Sequence, residues 1–304
     1  MTRITTDNST VQTEIFSGID IFIICIYFVI LVVSLIGNGL VIFVTGYKMK
    51  TTVNSIWFLN LAIADFIFSL SLIIKALLDI HSIWHVGTFK CIFLWFIIYI
   101  NSFTSILLLT TISLDRCLCT WMVVWSRNNR TIFKARIICI IVWVLSISGC
   151  IPVFINYSAE ESERIYGYPI QYYKSLVIYR FIVSFVIPFL IIASSYIAIG
   201  VRVKRLKKEN QFRSYRVIIA VVLAFFICWL PYHVYKLYYI RVKENQWSEE
   251  VLSKIKVVVS FLVFLNSCLN PVLYVFMCDE FKKKLKQSLL LVLETAFAED
   301  HLDF

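Results

Sequence analysis

The sequence predicts an all-α membrane protein: a seven-transmembrane helix bundle with a short amphipathic helix on the cytoplasmic surface. Three observations predict it. Apolar residues make up 60% of the chain and charged residues only 16%, whereas a soluble domain is about a quarter charged. The apolar residues gather into seven runs of 18 or more. Runs of that length can cross about 30 Å of hydrocarbon as helices. The net charge of +10 then reads as basic cytoplasmic loops, and no nucleic-acid partner is expected.

Residues 1–18 are polar and carry the sequon Asn8-Ser9-Thr10. They read as an extracellular tail with Asn8 as the glycosylation site, and no cleavable leader is visible. The bundle is expected over 19–278, with spans near 19–46, 54–79, 88–120, 133–155, 175–206, 211–241 and 250–277. The surface helix and short tail occupy 279–304. In the helix, Phe281, Leu285 and Leu289 form one stripe and Lys282, Lys283, Lys284 and Lys286 surround it, a pattern that suits a membrane surface. With the N-terminus outside, inner segments hold seventeen Lys and Arg against nine in outer ones, which supports that orientation at a plasma membrane. Seven basic residues in 200–216 would suit acidic membrane lipid or a protein partner. Of nine cysteines, Cys25, Cys139, Cys150, Cys228 and Cys268 lie within apolar runs, and none shows metal-ligand spacing.

Polar groups inside the spans are the functional signal, because each is costly in hydrocarbon unless paired. Span 1 holds Asn38 between two glycines. Span 2 holds Asp65, and span 3 offers Asn101 and Ser105, four apart on one face. Span 7 holds Asn266-Ser267-Cys268-Leu269-Asn270-Pro271-Val272-Leu273-Tyr274. A carboxylate ringed by neutral oxygens from Asn101, Ser105, Asn266 and Asn270 suits a hard cation such as sodium. A plain hydrogen-bonded core with Asp65 protonated is the other reading. Span 3 ends in Asp115-Arg116, which could equally be a solvated pair. Span 6 carries Trp229 two residues before Pro231, and a mid-helix proline can hinge what it carries.

Taken in order, Asn38, the Leu61/Ala62/Asp65 set, Trp84 before Cys91, Arg116, Trp143, Pro188 with Tyr196, Cys228-Trp229-Leu230-Pro231 and Asn270-Pro271-Val272-Leu273-Tyr274 resemble the rhodopsin-like G-protein-coupled receptors. Asp115-Arg116-Cys117, the run Val124 to Thr131, Phe226 to Trp229, Phe264 to Pro271 and the tail Glu294 to Asp300 are similar to the chemoattractant group: formyl-peptide, chemerin and complement-anaphylatoxin receptors. The resemblance implies a pocket open to the outside for a peptide or lipid ligand, and an inner groove for a heterotrimeric G protein of the inhibitory class. It implies that span 6 rotates about Pro231, that Arg116 leaves Asp115, and that Tyr196 and Tyr274 swing in beside it. Trp229 and Pro271 belong to the same switch set. No cofactor is implied beyond sodium as an allosteric ion.

The chain departs from that pattern in places. Cys91 stands where the resemblance implies an outer disulfide, yet the loop from Phe154 to Ser175 has no cysteine. The formyl-peptide receptors' acid and two arginines fall on Tyr99, Arg180 and Leu176, so one of three survives. Ile98 stands where amine receptors carry an aspartate. The outer cavity is expected to be lined by Lys75, Trp95, Tyr99, Arg180, Tyr232, His233, Lys236, Lys256 and Phe264, four of them basic and none acidic. Lys75, Lys236 and Lys256 could instead snorkel to water. Arg180 would then meet an anionic ligand group such as a carboxylate. A signalling receptor is the expected function. A decoy or scavenger, or a chemosensory receptor of the formyl-peptide-receptor-like group, is the alternative. A transporter lacks repeat symmetry here, and an enzyme lacks a nucleophile–base set.

Overall fold

The computed structural model describes the backbone of residues 2–5, 12–15, 18–80, 87–166, 170–206, 212–245, 249–277 and 281–287. Seven helical stretches are long and apolar enough to cross a membrane. α1 (Gly18–Phe43) runs into a π-helical turn at Val44–Lys48. α2 (Val53–Ile80) and α3 (Gly87–Trp121) follow, then a short α4 (Val123–Asn129) and α5 (Ile132–Tyr166). The fifth span is α6 (Ile170–Phe181), a π-helical turn (Ile182–Val186) and α7 (Ile187–Leu206). α8 (Phe212–Asn245) and α9 (Glu249–Met277) complete the bundle. A further helix, α10, covers 281–287. Its Phe281 is buried and Leu285 packs on the core, while Lys282, Lys283 and Lys286 stay exposed.

α3 packs against α2, α5, α7 and α8, and α1 closes the ring by packing on both α2 and α9. Leu61, Phe68, Ile106, Leu108, Leu109, Ile112, Phe225 and Trp229 fill the interior. Ile140, Val144, Leu190, Ile197, Ile227 and Val234 point outward. An exposed apolar belt of this extent on helices of spanning length is a lipid-facing surface. Gly37 sets how closely α1 meets α9: a Cβ there would lie 2.9 Å from Pro271 Cβ. Any larger residue would push the proline that bends the seventh span.

Three local features differ from the sequence expectation. The tail holds a two-stranded antiparallel hairpin, β1 (Thr2–Thr5) with β2 (Gln12–Ile15), pairing Thr2 with Ile15. α5 continues to Tyr166 instead of ending near 155, because Ser158 to Arg164 is rich in helix formers and the first breaker is Gly167. The inner loop after span 3 is helical at α4. The π turn in the fifth span has a physical cause. Pro188 has no N–H to donate and its ring would crowd the carbonyl four residues back. One wider turn ahead of it relieves that conflict.

Candidate functional site

Polar chemistry gathers at three levels of the bundle. The middle level centres on Asp65, fully buried on α2. Asn101 Nδ2 on α3 donates to its Oδ1 at 3.0 Å, Ser267 Oγ on α9 donates to the same oxygen at 3.0 Å, and Asn270 Nδ2 donates to Oδ2 at 2.6 Å. α1 joins through Asn38, which donates to the Ser267 carbonyl at 3.0 Å, and through Cys268, whose thiol lies 2.8 Å from the Ile30 carbonyl. Ser34 and Ser69 complete the link from α1 to α2 at 2.7 Å. Three spans therefore meet on one carboxylate, and α1 is tied to them through Ser267, Cys268 and Ser69. Asn266 is buried but does not bond Asp65 among the described residues, and Ser105 Oγ is buried with no hydrogen-bond partner among them.

The inner level is built at the end of α3. Asp115 meets Arg116 Nη2 at 3.2 Å. It also meets Arg130, which follows α4: Nε lies 2.8 Å from Oδ1 and Nη2 lies 2.9 Å from Oδ2. That is a side-on, two-bond pair, the stronger form of guanidinium–carboxylate contact. Asn54 Oδ1 on α2 accepts from Arg130 Nη2 at 2.6 Å and also from Arg116 Nη2. Burial works against charge on Arg130, but the Asp115 bond and charge outweigh it and hold the guanidinium above its ordinary pKa. Sequence reasoning missed Arg130 and Asn54, since a basic residue in an inner loop is already accounted for by topology. Tyr196 packs against the core, and Trp229 is stacked on Phe225 with Pro231 in the next half-turn. The Tyr274 side chain lies outside the described residues, although Pro271 is buried within α9.

The outer level centres on Arg180, 5% exposed at the end of α6. Its guanidinium carbon sits 3.6 Å from the Tyr99 ring centroid and 4.9 Å from that of Tyr232. Nη1 donates to Tyr232 Oη at 3.0 Å, and the two tyrosine hydroxyls lie 3.4 Å apart. Nε and Nη2 of Arg180 are buried without a hydrogen-bond partner, and no carboxylate pairs with the group among the described residues. His233 is buried against Phe185 and Phe181, and Lys236 Nζ lies 5.9 Å from the Tyr232 ring. Cys150 is a buried free thiol packed with Tyr99 and Phe103 below them. So Tyr99, Arg180, Tyr232, His233 and Lys236 come together. Phe264 packs instead on Tyr27 and Phe68, and Lys256 is exposed. The side chains of Lys75, Trp95 and Cys91, together with Asn8, lie outside the described residues.

With this geometry in view, comparison with known proteins is decisive. The chain matches the 7 transmembrane receptor (rhodopsin family) over residues 37–274. The protein belongs to the rhodopsin family of seven-transmembrane receptors. As a rhodopsin-family member it is a receptor and not an enzyme, with multiple membrane spans. It is 36% identical to chemerin-like receptor 1 of Sus scrofa, over 92% of this chain and 83% of that protein. It is 37% identical to the C3a anaphylatoxin chemotactic receptor of Danio rerio, over 97% and 82%. Similarity extends to prostaglandin D2 receptor 2 of Mus musculus, 34% identical over 88% and 75%, a relative that the motif resemblance did not bring out. The chemoattractant-group likeness thus covers nearly the whole receptor chain.

Proposed function

We propose that this receptor sits in the plasma membrane with its N-terminus outside and converts binding of an extracellular ligand bearing an anionic group into activation of a heterotrimeric G protein, of the inhibitory class. The observation that carries the ligand reading is Arg180. A buried guanidinium whose Nε and Nη2 meet no acceptor among the described residues carries a desolvation cost that an incoming acceptor can offset. Tyr99 and Tyr232 contribute cation–π attraction of about 0.5–2 kcal/mol but neutralise nothing. A carboxylate or acid group of a peptide or lipid supplies such an acceptor. Relatives named for chemerin, C3a and prostaglandin D2 support both ligand classes without choosing between them. The test is a cell assay of cyclic AMP and calcium with a panel of free-acid peptides and fatty-acid-derived lipids. Arg180→Ala should cost about a hundredfold in potency for any active anion, the penalty of losing a buried charged partner. Unchanged potency would contradict the reading.

At the middle level, sodium is the ion we propose for Asp65. Support comes from the buried Asp65 carboxylate and from two buried oxygens without hydrogen-bond partners among the described residues, Ser105 Oγ and Asn38 Oδ1. The Asn101 and Asn270 nitrogens face Asp65 here, so an ion would require those amides to turn. Sodium should then raise the melting temperature of the purified receptor where potassium does not, and Asp65→Asn should abolish the difference.

A further inference from the structure

Among the described residues the inner level brings one carboxylate against two guanidinium groups, and this imbalance bears on how readily Arg116 can move. Arg116 reaches Asp115 by one contact at 3.2 Å, whereas Arg130 occupies both carboxylate oxygens at 2.8 and 2.9 Å. The position of Arg130 is set by the backbone: its N–H donates to the Ser126 carbonyl at 3.0 Å, closing the last turn of α4. Asn54 Oδ1 takes an Nη2 hydrogen from each arginine and so holds two like charges side by side.

If Arg116 were the sole partner of Asp115, its departure would strand a largely buried carboxylate, and breaking such a pair is costly. Arg130 changes that balance. After Arg116 leaves, Asp115 still keeps two charge-assisted bonds. Before it leaves, the neighbouring positive charge weakens the attraction Arg116 feels. Both effects act in the same direction.

We propose that Arg130 and Asn54 are positioning residues of the cytoplasmic switch, with opposite signs. Arg130 lowers the cost of releasing Arg116 by satisfying Asp115 in its place. Asn54 raises that cost, because it is the second acceptor Arg116 must give up. The inference rests on the G-protein reading above and adds to it which residues set the resting balance.

The test is ligand-independent G-protein dissociation in cells expressing the full chain at matched surface levels, across a set of Gα subunits. Asn54→Ala should raise basal activity about threefold, the worth of one hydrogen bond to a charged group shared between states. Adding Arg130→Gln to Asn54→Ala should bring it back down by a similar factor, and Arg130→Lys should fall between. Asp115→Asn should raise basal activity, and adding Arg130→Gln to it should change nothing, since the carboxylate through which Arg130 acts is gone. A rise or no change on adding Arg130→Gln to Asn54→Ala overturns the inference, as does an effect of Arg130→Gln in the Asp115→Asn background. Activity with Asp115→Asn but none with Asn54→Ala overturns it also. Silence from every variant with every Gα overturns the G-protein reading, and the inference with it.

Discussion

Arg180 and Asp115 are opposite solutions to a charge out of water. At the outer level a guanidinium is stacked on Tyr99 and hydrogen-bonded to Tyr232, yet among the described residues no anion meets it. At the inner level a carboxylate has two guanidinium groups competing for it. The first suits an anion that arrives, and the second lets one partner leave without stranding the other. Between them Asp65 is balanced, with three donors from three side chains and no countercharge among the described residues. One bundle thus holds a site suited to capture, a site suited to switching and a site suited to neither on its own but tied to four spans. A ligand that pairs with Arg180 biases the bundle only if it binds one packing better than the other.

That contrast can be sharpened by three substitutions. The largest effect should come from Arg180→Lys, which keeps the charge and loses the planar stack and the two-bond fork. Potency for an active anion should fall about tenfold, less than for alanine, if shape as well as charge defines recognition by Arg180. Equal losses for lysine and alanine would mean that the fork matters and the charge alone does not. Next, Tyr232→Phe removes the hydroxyl that accepts from Arg180 Nη1 and leaves the ring in place. A loss of about threefold in potency is expected, with surface expression unchanged. The third substitution is read on stability instead of potency: Ser267→Ala removes one of the three donors to Asp65. The purified receptor should lose about 1 kcal/mol of stability as read by thermal melting. A loss several times larger would show that Asp65 is not balanced but strained, and would place it with the other two.

The fold was largely legible because spans announce themselves by hydropathy and by length, and lipid tolerates few alternatives. The Asp65 neighbourhood was legible for a related reason. Asn101, Ser267 and Asn270 are expensive in hydrocarbon unless paired, and the pairs found are among those their positions suggested. What hydropathy does not carry is the rotation of a helix about its axis. Phe264 was expected beside Arg180, but the facing of α9 turns it to Tyr27 and Phe68. Nor does it carry structure in polar segments, hence the unexpected reach of α5 to Tyr166 and the presence of α4. Arg130 was hidden most completely. Its sequence context offers an inner-loop positive charge, which topology already explains, and only the return of the chain after α4 brings it onto Asp115.

The central claim is that Arg180 pairs with an anionic group of the ligand, and one measurement addresses it directly. The most potent agonist of the panel is prepared as free acid and as neutral amide, and each is titrated against the native receptor and Arg180→Ala. The account predicts that amidation costs about a hundredfold on the native receptor and almost nothing on the variant, because the two changes remove the same contact. Equal losses from amidation on both receptors would contradict it, since the carboxylate would then be recognised somewhere other than Arg180.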